Sequence, residues 1–552
     1  MSKCKNQHQN KEKDSQKSNW LYKLCLPVAG LLSVLWLLIR VIPKPSRAYY
    51  PCMKVAVPIA STFIVYILGF LTSIIAFRKA KNQLGKAQYV IAGCFIVLFI
   101  TAGFIGFSQN SRDSYAAFDT LVDPLGPNNP IGDAKGVLPG RVVWVHDPDS
   151  TNENCQPTVW GNGYYLDKNC NQSVVDDMFS KAIKELTEKA SDAEAWDAIF
   201  RNFNQTHDKG NVPYSKREKI FIKVNAVHTN TRNFGPDGEI LDSKQLGAVD
   251  TSPHAIMTLL RQLVNEAGIP QKYIYIGDPM YRHFFKHSYD KFSAEFPKIN
   301  YMSRSGLPGR TKPKESRKVG IHFSDRGSVL DVTTDHYYRC LMRADYIINV
   351  PAMKGHDLGG VTFFAKNHFG SHTLKTAVHL HKGLHSPSGI NTARFGYNKY
   401  RIFVDLMGGE NVGGKTLLYY MDGLWSTSEA HLPAAKYLSE PFNNDWSSSI
   451  FLSLDPVAIS SVCLDVMKKE FKVEDLDAEP PRHTHVHFPG LDDFLHQAAS
   501  SDWWPEGLVY DPENDGTPLT SLGVHEHWNN ETDMEYSRNL GTGDGIELIK
   551  LF

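Results

Sequence analysis

Lys354, His356, Lys366 and Asn367 fall within one short stretch, AMKGHDLGGVTFFAKNHFG (352–370), and their side chains suit acid–base and anion chemistry. An imidazole titrates near neutral pH and carries protons in either direction. A lysine beside an apolar wall anchors an anion, or acts as a nucleophile when desolvation lowers its pKa. His356 is therefore the expected proton carrier and Lys366 its catalytic partner, with Lys354 and Asn367 expected to contact the ligand. Val361, Phe363, Phe364 and Phe369 surround these charges and should draw them inward; the competing reading is a solvated loop. Lys223, Asn225 and Asp278 end the strand-like runs KIFIKVNAV (219–227) and KYIYIGD (272–278), and Asp422 ends TLLYYMDG (416–423). Carboxyl ends of parallel strands converge on one edge, where ligands bind, so these four are further ligand-binding candidates. Asp455, before Pro456, reads as a helix cap.

Histidine density is a second signal. Six of the 22 histidines lie between 356 and 385. His379 and His381 share a face if extended, and His368 and His372 share one if helical. His368, His372, His379 and His381 are thus expected ligands for a divalent transition metal. No carboxylate or thiolate at fixed spacing names the metal, and a histidine-rich surface loop is the alternative. His483, His485 and His487 in RHTHVHF would share one face of a strand, and HEH (525–527) repeats the pattern; both read as surface or structural histidines.

The stretch DYIINVPAMKGHDLGGVTFFAKNHFG (345–370) resembles the signature of the domain-of-unknown-function family 362, approximately Asp-x-x-Ile-Asn-x-Pro-x-x-Lys-x-His…Thr…Lys-Asn-x-x-Gly. The likeness extends to KIFIKVNAV, IYIGDP (274–279), LLYYMDGLW (417–425) and SLDPVAISSVCLDVM (453–467), and so covers about 140 to 500. It implies that the strand-end residues line a shared site. Some members carry a ferredoxin-like cysteine cluster, which this chain lacks. His356 and Lys366 also have a distant likeness to nickel-pincer lactate racemases, His-x-x-x-Gly-x-x-Gly-Gly-x-Lys, with the glycines shifted here. In those enzymes the lysine is attached to the cofactor and the histidine is a catalytic base.

The elements that must position these residues alternate. Strand-like runs at 141–146, 219–227, 272–278, 344–350, 416–423 and 449–455 are interleaved with helical stretches such as 173–190 and 193–204. Ser252 and Pro253 open one helix and Gly268 follows it. The expected fold is α/β, a mainly parallel sheet flanked by helices. Three apolar segments precede it, at 24–42, 55–77 and 89–107, each about long enough to span a bilayer. The expected organisation is a disordered cytoplasmic tail (1–20), a three-helix membrane region (21–107), a linker (108–140), the α/β domain (141–510) and a C-terminal tail packing on it (511–552). Lysines before the first segment, and Arg78, Lys79, Lys81 and Lys86 between the second and third, put the N-terminus inside and the main domain outside the cytoplasm. The protein is then a multi-pass membrane protein.

Composition narrows the function. Lys+Arg and Asp+Glu are 59 each, and there is no basic stripe with interleaved aromatics, so nucleic acid is not an expected partner. The eight cysteines form no C-x-x-C, so no iron–sulfur cluster is expected. Cys155 and Cys170 are either a disulfide or free. GENVGGKT (409–416) matches a P-loop pattern but runs into a strand-like segment, whereas a phosphate-binding loop opens a helix. Two readings stand: a membrane-anchored enzyme acting on a small anion by His/Lys chemistry, or an extracytoplasmic ligand-binding, envelope-associated protein without catalysis.

Overall fold

Runs rich in Val, Ile, Tyr and Phe build the strands of this computed structural model, which describes Arg78 and residues 123–228, 247–280, 284–304, 306–316, 320–326, 335–386 and 394–552. The chain divides into two units, Met1–Asp119 and Thr120–Phe552. The three apolar segments expected to span a membrane, and the tail at 1–20, lie outside the described residues. Among the described residues, no helix is long and apolar enough to cross a membrane.

The strands are β1 (Ile131–Gly132), β2 (Arg141–His146), β3 (Ile220–Val224), β4 (Ile274–Gly277), β5 (Asn300–Tyr301), β6 (Tyr346–Val350), β7 (Ala352–His356), β8 (Gly360–Val361), β9 (Thr416–Thr427), β10 (Ser449–Ser453), β11 (Val524–His525) and β12 (Glu547–Leu551). A ten-stranded sheet runs β12-β2-β10-β9-β6-β3-β4-β5, with β7 and β8 attached beside β9. Every residue of β2, β3, β6, β9 and β10 is buried, so both faces of these strands are covered. β3, β4, β5, β6 and β9 pair in parallel, as do β12 and β2. β10, however, runs antiparallel to both β2 and β9. The sheet is therefore mixed, which corrects the mainly parallel expectation. The cause lies in the β9–β10 connection: residues 428–448 contain no helix to carry the chain across, so it returns beside the strand it left.

Period-two alternation sends neighbouring side chains to opposite faces. Val143, Val145, Ile220, Ile222 and Ile348 pack with helices α1 (Gln172–Thr187), α2 (Asp192–Thr206) and α3 (Pro253–Arg261). Val142, Trp144, Phe221 and Ile347 pack with α4 (Phe364–Asn367), α5 (Ile402–Gly408), α6 (Pro456–Glu470) and α7 (Asp493–Ala499). Ser252 caps α3 with Pro253 in its first turn, and Gly268 follows at φ +67°, as the sequence predicts.

The segment read as a C-terminal tail does more than pack on the domain: β12 is an edge strand, in register with β2 from Glu547↔Arg141 to Leu551↔Val145. Cys155 and Cys170 are both buried and free. The P-loop-like sequence forms only a short 3-10 turn (Gly413–Lys415) leading straight into β9, so no helix N-terminus is available there to hold phosphate. His485–His487 is a 3-10 turn, not a strand, so the three alternating histidines share no strand face.

Asp455 joins three parts of the fold. Its Oδ1 accepts from Val457 N and Ala458 N, both at 2.9 Å, as a helix cap, and its Oδ2 accepts from Lys135 N (2.9 Å) and Val524 N (3.1 Å). Asp455→Ala strands four amide donors, three of them in wholly buried surroundings. It should cost about 2–4 kcal/mol, the cap plus at least one unsatisfied buried group. Urea denaturation measures this; a loss below about 1 kcal/mol would mean that water replaces the carboxylate.

Candidate functional site

The site begins under the sheet edge, where β3, β4 and β6 end together: Lys223 is level with Gly277 on one side and Asn349 on the other. Lys223 has no solvent exposure. A buried ammonium must be matched by acceptors. Its Nζ donates to Val224 O (2.7 Å) and Asn367 Oδ1 (3.0 Å) and lies 3.4 Å from Asp278 Oδ1. Asn367 Nδ2 donates back to Lys223 O (3.1 Å) and to Asn349 Oδ1 (2.8 Å). The Lys-Asn pair of α4 is thereby latched to the strand ends. Gly370 permits the close approach, since a Cβ there would sit 1.9 Å from Asp278 Oδ1 and 3.0 Å from Lys223 Nζ.

Above this latch is a cavity of about 220 Å³ lined by Asn225, Asp278, Lys354, His356, Lys366, Asn367, His381 and His431, among others. Asn225 Oδ1, buried on this wall, accepts no hydrogen bond from the described residues. Lys354 and His356 lie two apart on β7 and so share a face. Lys354 Nζ donates to Val249 O and lies 3.6 Å from Asp250 Oδ1. His356 Nδ1 accepts from the amides of Leu358 (3.0 Å) and Gly359 (3.2 Å). Backbone N–H groups cannot give way to a ring proton, so the neutral ring carries its hydrogen on Nε2. The Asp357 carboxylate, 3.2 Å from the same nitrogen, is half exposed and can turn into solvent instead. Burial, then Lys366 and the neighbouring histidines, hold His356 well below the usual imidazole range.

Lys366 is half-buried; its Nζ lies 3.4 Å from His381 Nε2 and 4.0 Å from the centre of the Phe369 ring. Burial pushes its amine down to about 7; Asp357 opposes the shift and Lys354 adds to it. His381 Nδ1 donates to Ala377 O (2.8 Å), which leaves Nε2 bare toward Lys366. The wall is completed by Thr376 and Ala377, both left-handed at φ +61° and +49°.

A chain of hydrogen bonds enters the same cavity. His228 Nδ1 donates to Asp250 Oδ1 (2.9 Å), and His431 Nδ1 donates to His228 Nε2 (3.2 Å). Asp250 also accepts from the amides of Val227 (3.0 Å) and His228 (2.9 Å), which fixes its orientation. The carboxylate sets the tautomer of His228, and His228 sets that of His431, so the Nε2 of His431 keeps a free lone pair. Sequence reasoning missed all three residues: His228 lies 22 positions from Asp250 and 203 from His431, with no motif to join them. The only available signal was the position of His228 just past the KIFIKVNAV strand.

Residues 240–465 match the family model described as Domain of unknown function (DUF362). No curated protein matches the chain. The DUF362 match contains Asp250, Asp278, Lys354, His356, Lys366, His381 and His431; Lys223, Asn225 and His228 lie just before it.

Within the DUF362 segment, Asp422 stands apart from the cavity lining. Its Oδ2 accepts from Ser252 N (2.5 Å) and its Oδ1 from Leu424 N (3.2 Å), so it fastens the start of α3 to β9. Burial pushes its carboxyl up to about 7. The four imidazoles expected to share a metal separate into three places. His368 is held by Asn349 Nδ2 (3.0 Å) and Ser371 Oγ (3.1 Å). His372 Nδ1 and His379 Nε2 both donate to Asp335 Oδ2, each at 2.7 Å. His381 faces the cavity. The reason is local: residues 368–371 form a 3-10 turn and 378–381 a helical turn, so neither spacing keeps its pair on one face. The carboxylate that the sequence lacked is Asp335, 37 residues before His372. With both inward nitrogens already hydrogen-bonded to it, this triad pins the segment that carries Thr376, Ala377 and His381.

Gly370→Ala tests the latch. Overpacking against Asp278 and Lys223 should lower stability by about 1–3 kcal/mol, whereas Gly126→Ala, where nothing lies within 4 Å, should be neutral. Equal melting temperatures for the two variants would mean that Gly370 does not approach Asp278 closely.

Proposed function

We propose that the cavity binds a small anion, a carboxylate or similar group, between Lys354 and Lys366, and that His431 exchanges a proton with the bound molecule. The observation carrying this reading is the pairing of a half-buried lysine titrating near neutrality with a separate histidine whose lone pair is fixed by a two-step relay. Lys366 in its charged form supplies the anion contact, because the carboxylate that favours its charge most, Asp357, is half exposed and leaves it poorly matched. His356 presents an Nε2–H, a hydrogen-bond donor suited to an oxygen on which charge develops. Proton transfer therefore passes from His356, where the sequence put it, to His431. A proton accepted at His431 Nε2 is stabilised through His228 by Asp250, as in other histidine–carboxylate arrangements. Asn225 Oδ1 and Asp278 would accept from a hydroxyl or amine on the ligand. No step in this reading runs through a nickel cofactor.

Sulfate and acetate keep constant charge between pH 6 and 9, and so isolate the protein's own titration. Their affinity should fall as pH rises through about 7, since Lys366 loses its proton there. Lys366→Met should remove this pH dependence and weaken binding by about 1.5–3 kcal/mol, the value of a charge-assisted contact. Calorimetric titration decides it; an unchanged affinity in the variant sinks the anion site.

Catalysis is tested separately. Exchange of C–H protons of small carboxylates with deuterated water, followed by NMR, should occur with the parent and be lost in His431→Gln, with acetate affinity retained. Absence of exchange across the panel would leave a binding protein.

On the sequence, we further place the protein in a membrane through residues 21–107, with the main domain outside the cytoplasm. A reporter active only in the cytoplasm, fused after Phe552, should be silent; activity would reverse the orientation.

A further inference from the structure

A second group of histidines lies beyond the DUF362 match and shares no residue with the cavity. His525 is on β11, His527 follows it, and His496 is in α7. The three rings offer nitrogens within 4.8 Å of one another, and Asp123, Asp492 and His527 form an overlapping set within the same limit. Asp465 and Lys468 approach from α6.

The hydrogen bonding here is incomplete in a specific way. The Ser461 hydroxyl donates to Val457 O (2.8 Å), so His525 Nδ1 donates to Ser461 Oγ (2.8 Å). That leaves His525 Nε2 as a bare lone pair without a partner among the described residues, on a residue with no exposure. His496 is equally buried, stacked on Tyr397 and against Trp503, and neither of its ring nitrogens is hydrogen-bonded to a described residue. Its Nε2 is 3.4 Å from Asp123 Oδ1. His527 places Nε2 2.7 Å from Asp123 Oδ2 and Nδ1 2.9 Å from Asp465 Oδ1. Buried imidazoles are normally satisfied, and two left open in one cluster with His527 call for a missing partner.

We propose that His496, His525 and His527, with a carboxylate from Asp123 or Asp492, hold a divalent transition-metal ion. Three imidazoles and a carboxylate make a four-ligand shell of the zinc type, reached by closing the rings to about 3.3 Å between donor atoms, as bonds of about 2.0–2.1 Å require. The outer contacts are already in place: His525 Nδ1 is oriented by Ser461, and His527 Nδ1 by Asp465. The charge also fits. Asp123, Asp465 and Asp492 face Lys468, whose Nζ is 2.5 Å from Asp492 Oδ2, and His527, both of whose nitrogens donate to carboxylates; once a metal replaces the His527 Nε2 proton, two negative charges remain for a divalent ion to neutralise. Bound metal would take the place of the His527 Nε2 proton, which is released to solvent, and so break the hydrogen bond to Asp123. His372, His379 and Asp335 also lie within 4.8 Å of one another, but there both imidazoles spend a nitrogen on the one carboxylate, whereas here His496 and His525 spend none on a carboxylate hydrogen bond.

The test is metal binding by the full chain, stripped with chelator and titrated with Zn²⁺ or Co²⁺. One equivalent is expected. His525→Gln should weaken binding by more than the 10–100-fold typical of losing an outer-shell partner, and His372→Gln should leave it unchanged. X-ray absorption of the zinc-loaded parent should show at least three imidazoles, a readout that survives if His525→Gln does not fold. Absence of stoichiometric binding, fewer than three imidazoles, or loss of binding in His372→Gln instead, overturns the assignment. The proposal is independent of the anion site, whose variants should bind metal normally.

Discussion

A lysine ammonium sealed from water, Lys223, sets the terms for the whole carboxyl edge. An isolated charge at such a depth would cost several kcal/mol. Its acceptors therefore come from three separate segments: Val224 beside it, Asp278 past β4, and Asn367 at the end of α4. Those segments cannot drift apart without stranding the charge. The Asn349–Asn367 and Asn349–Phe364 hydrogen bonds extend the constraint to β6. The cavity walls are in this sense a by-product of solvating one cation with protein.

Two of the three lysines that converge here are matched by carboxylates: Lys223 by Asp278 and Lys354 by Asp250. Lys366 has no comparable buried partner among the described residues; its closest compensation is the imidazole of His381 and the face of Phe369. Its lowered pKa follows directly, with burial as the largest cause. The same imbalance is what the proposed anion would relieve. Asp250 has a double duty, since it balances Lys354 and orients His228, so the charge of that lysine and the geometry of the relay are coupled through one carboxylate.

The sequence revealed the edge because strand ends can be read: Lys223, Asn225, Asp278, Lys354, His356, Lys366 and Asn367 all follow apolar runs, and all but Lys223 line the cavity, with Lys223 directly beneath. Asp422 also ends an apolar run, but it lies outside the cavity lining and its two oxygens accept from Ser252 and Leu424. Periodicity cannot distinguish a residue facing the ligand from one facing a neighbouring helix cap. The histidine cluster failed for a related reason: its grouping depended on turn type, and short turns carry little periodic signal. His228, Asp250 and His431 were illegible because their association is purely tertiary. The antiparallel direction of β10 escaped because strand order within a sheet is set by connections, and the connection at 428–448 has no regular structure to read.

The place of β2 in the sheet has a consequence for biosynthesis. Both of its neighbours come from far downstream, β10 about 300 residues later (Trp144 and Ser449 are 305 apart) and β12 about 400 later (Arg141 and Glu547 are 406 apart). At roughly 5–20 residues per second, a ribosome needs some 15–60 s after making β2 to deliver even the first of these partners. Throughout that interval the strand RVVWVH has two open edges and two apolar faces, the combination most prone to pairing with another chain. Helix α1, made soon after, covers only one of those faces. The closure of the sheet around β2 is thus the last long-range step that the order of synthesis allows, and the slowest loop to close.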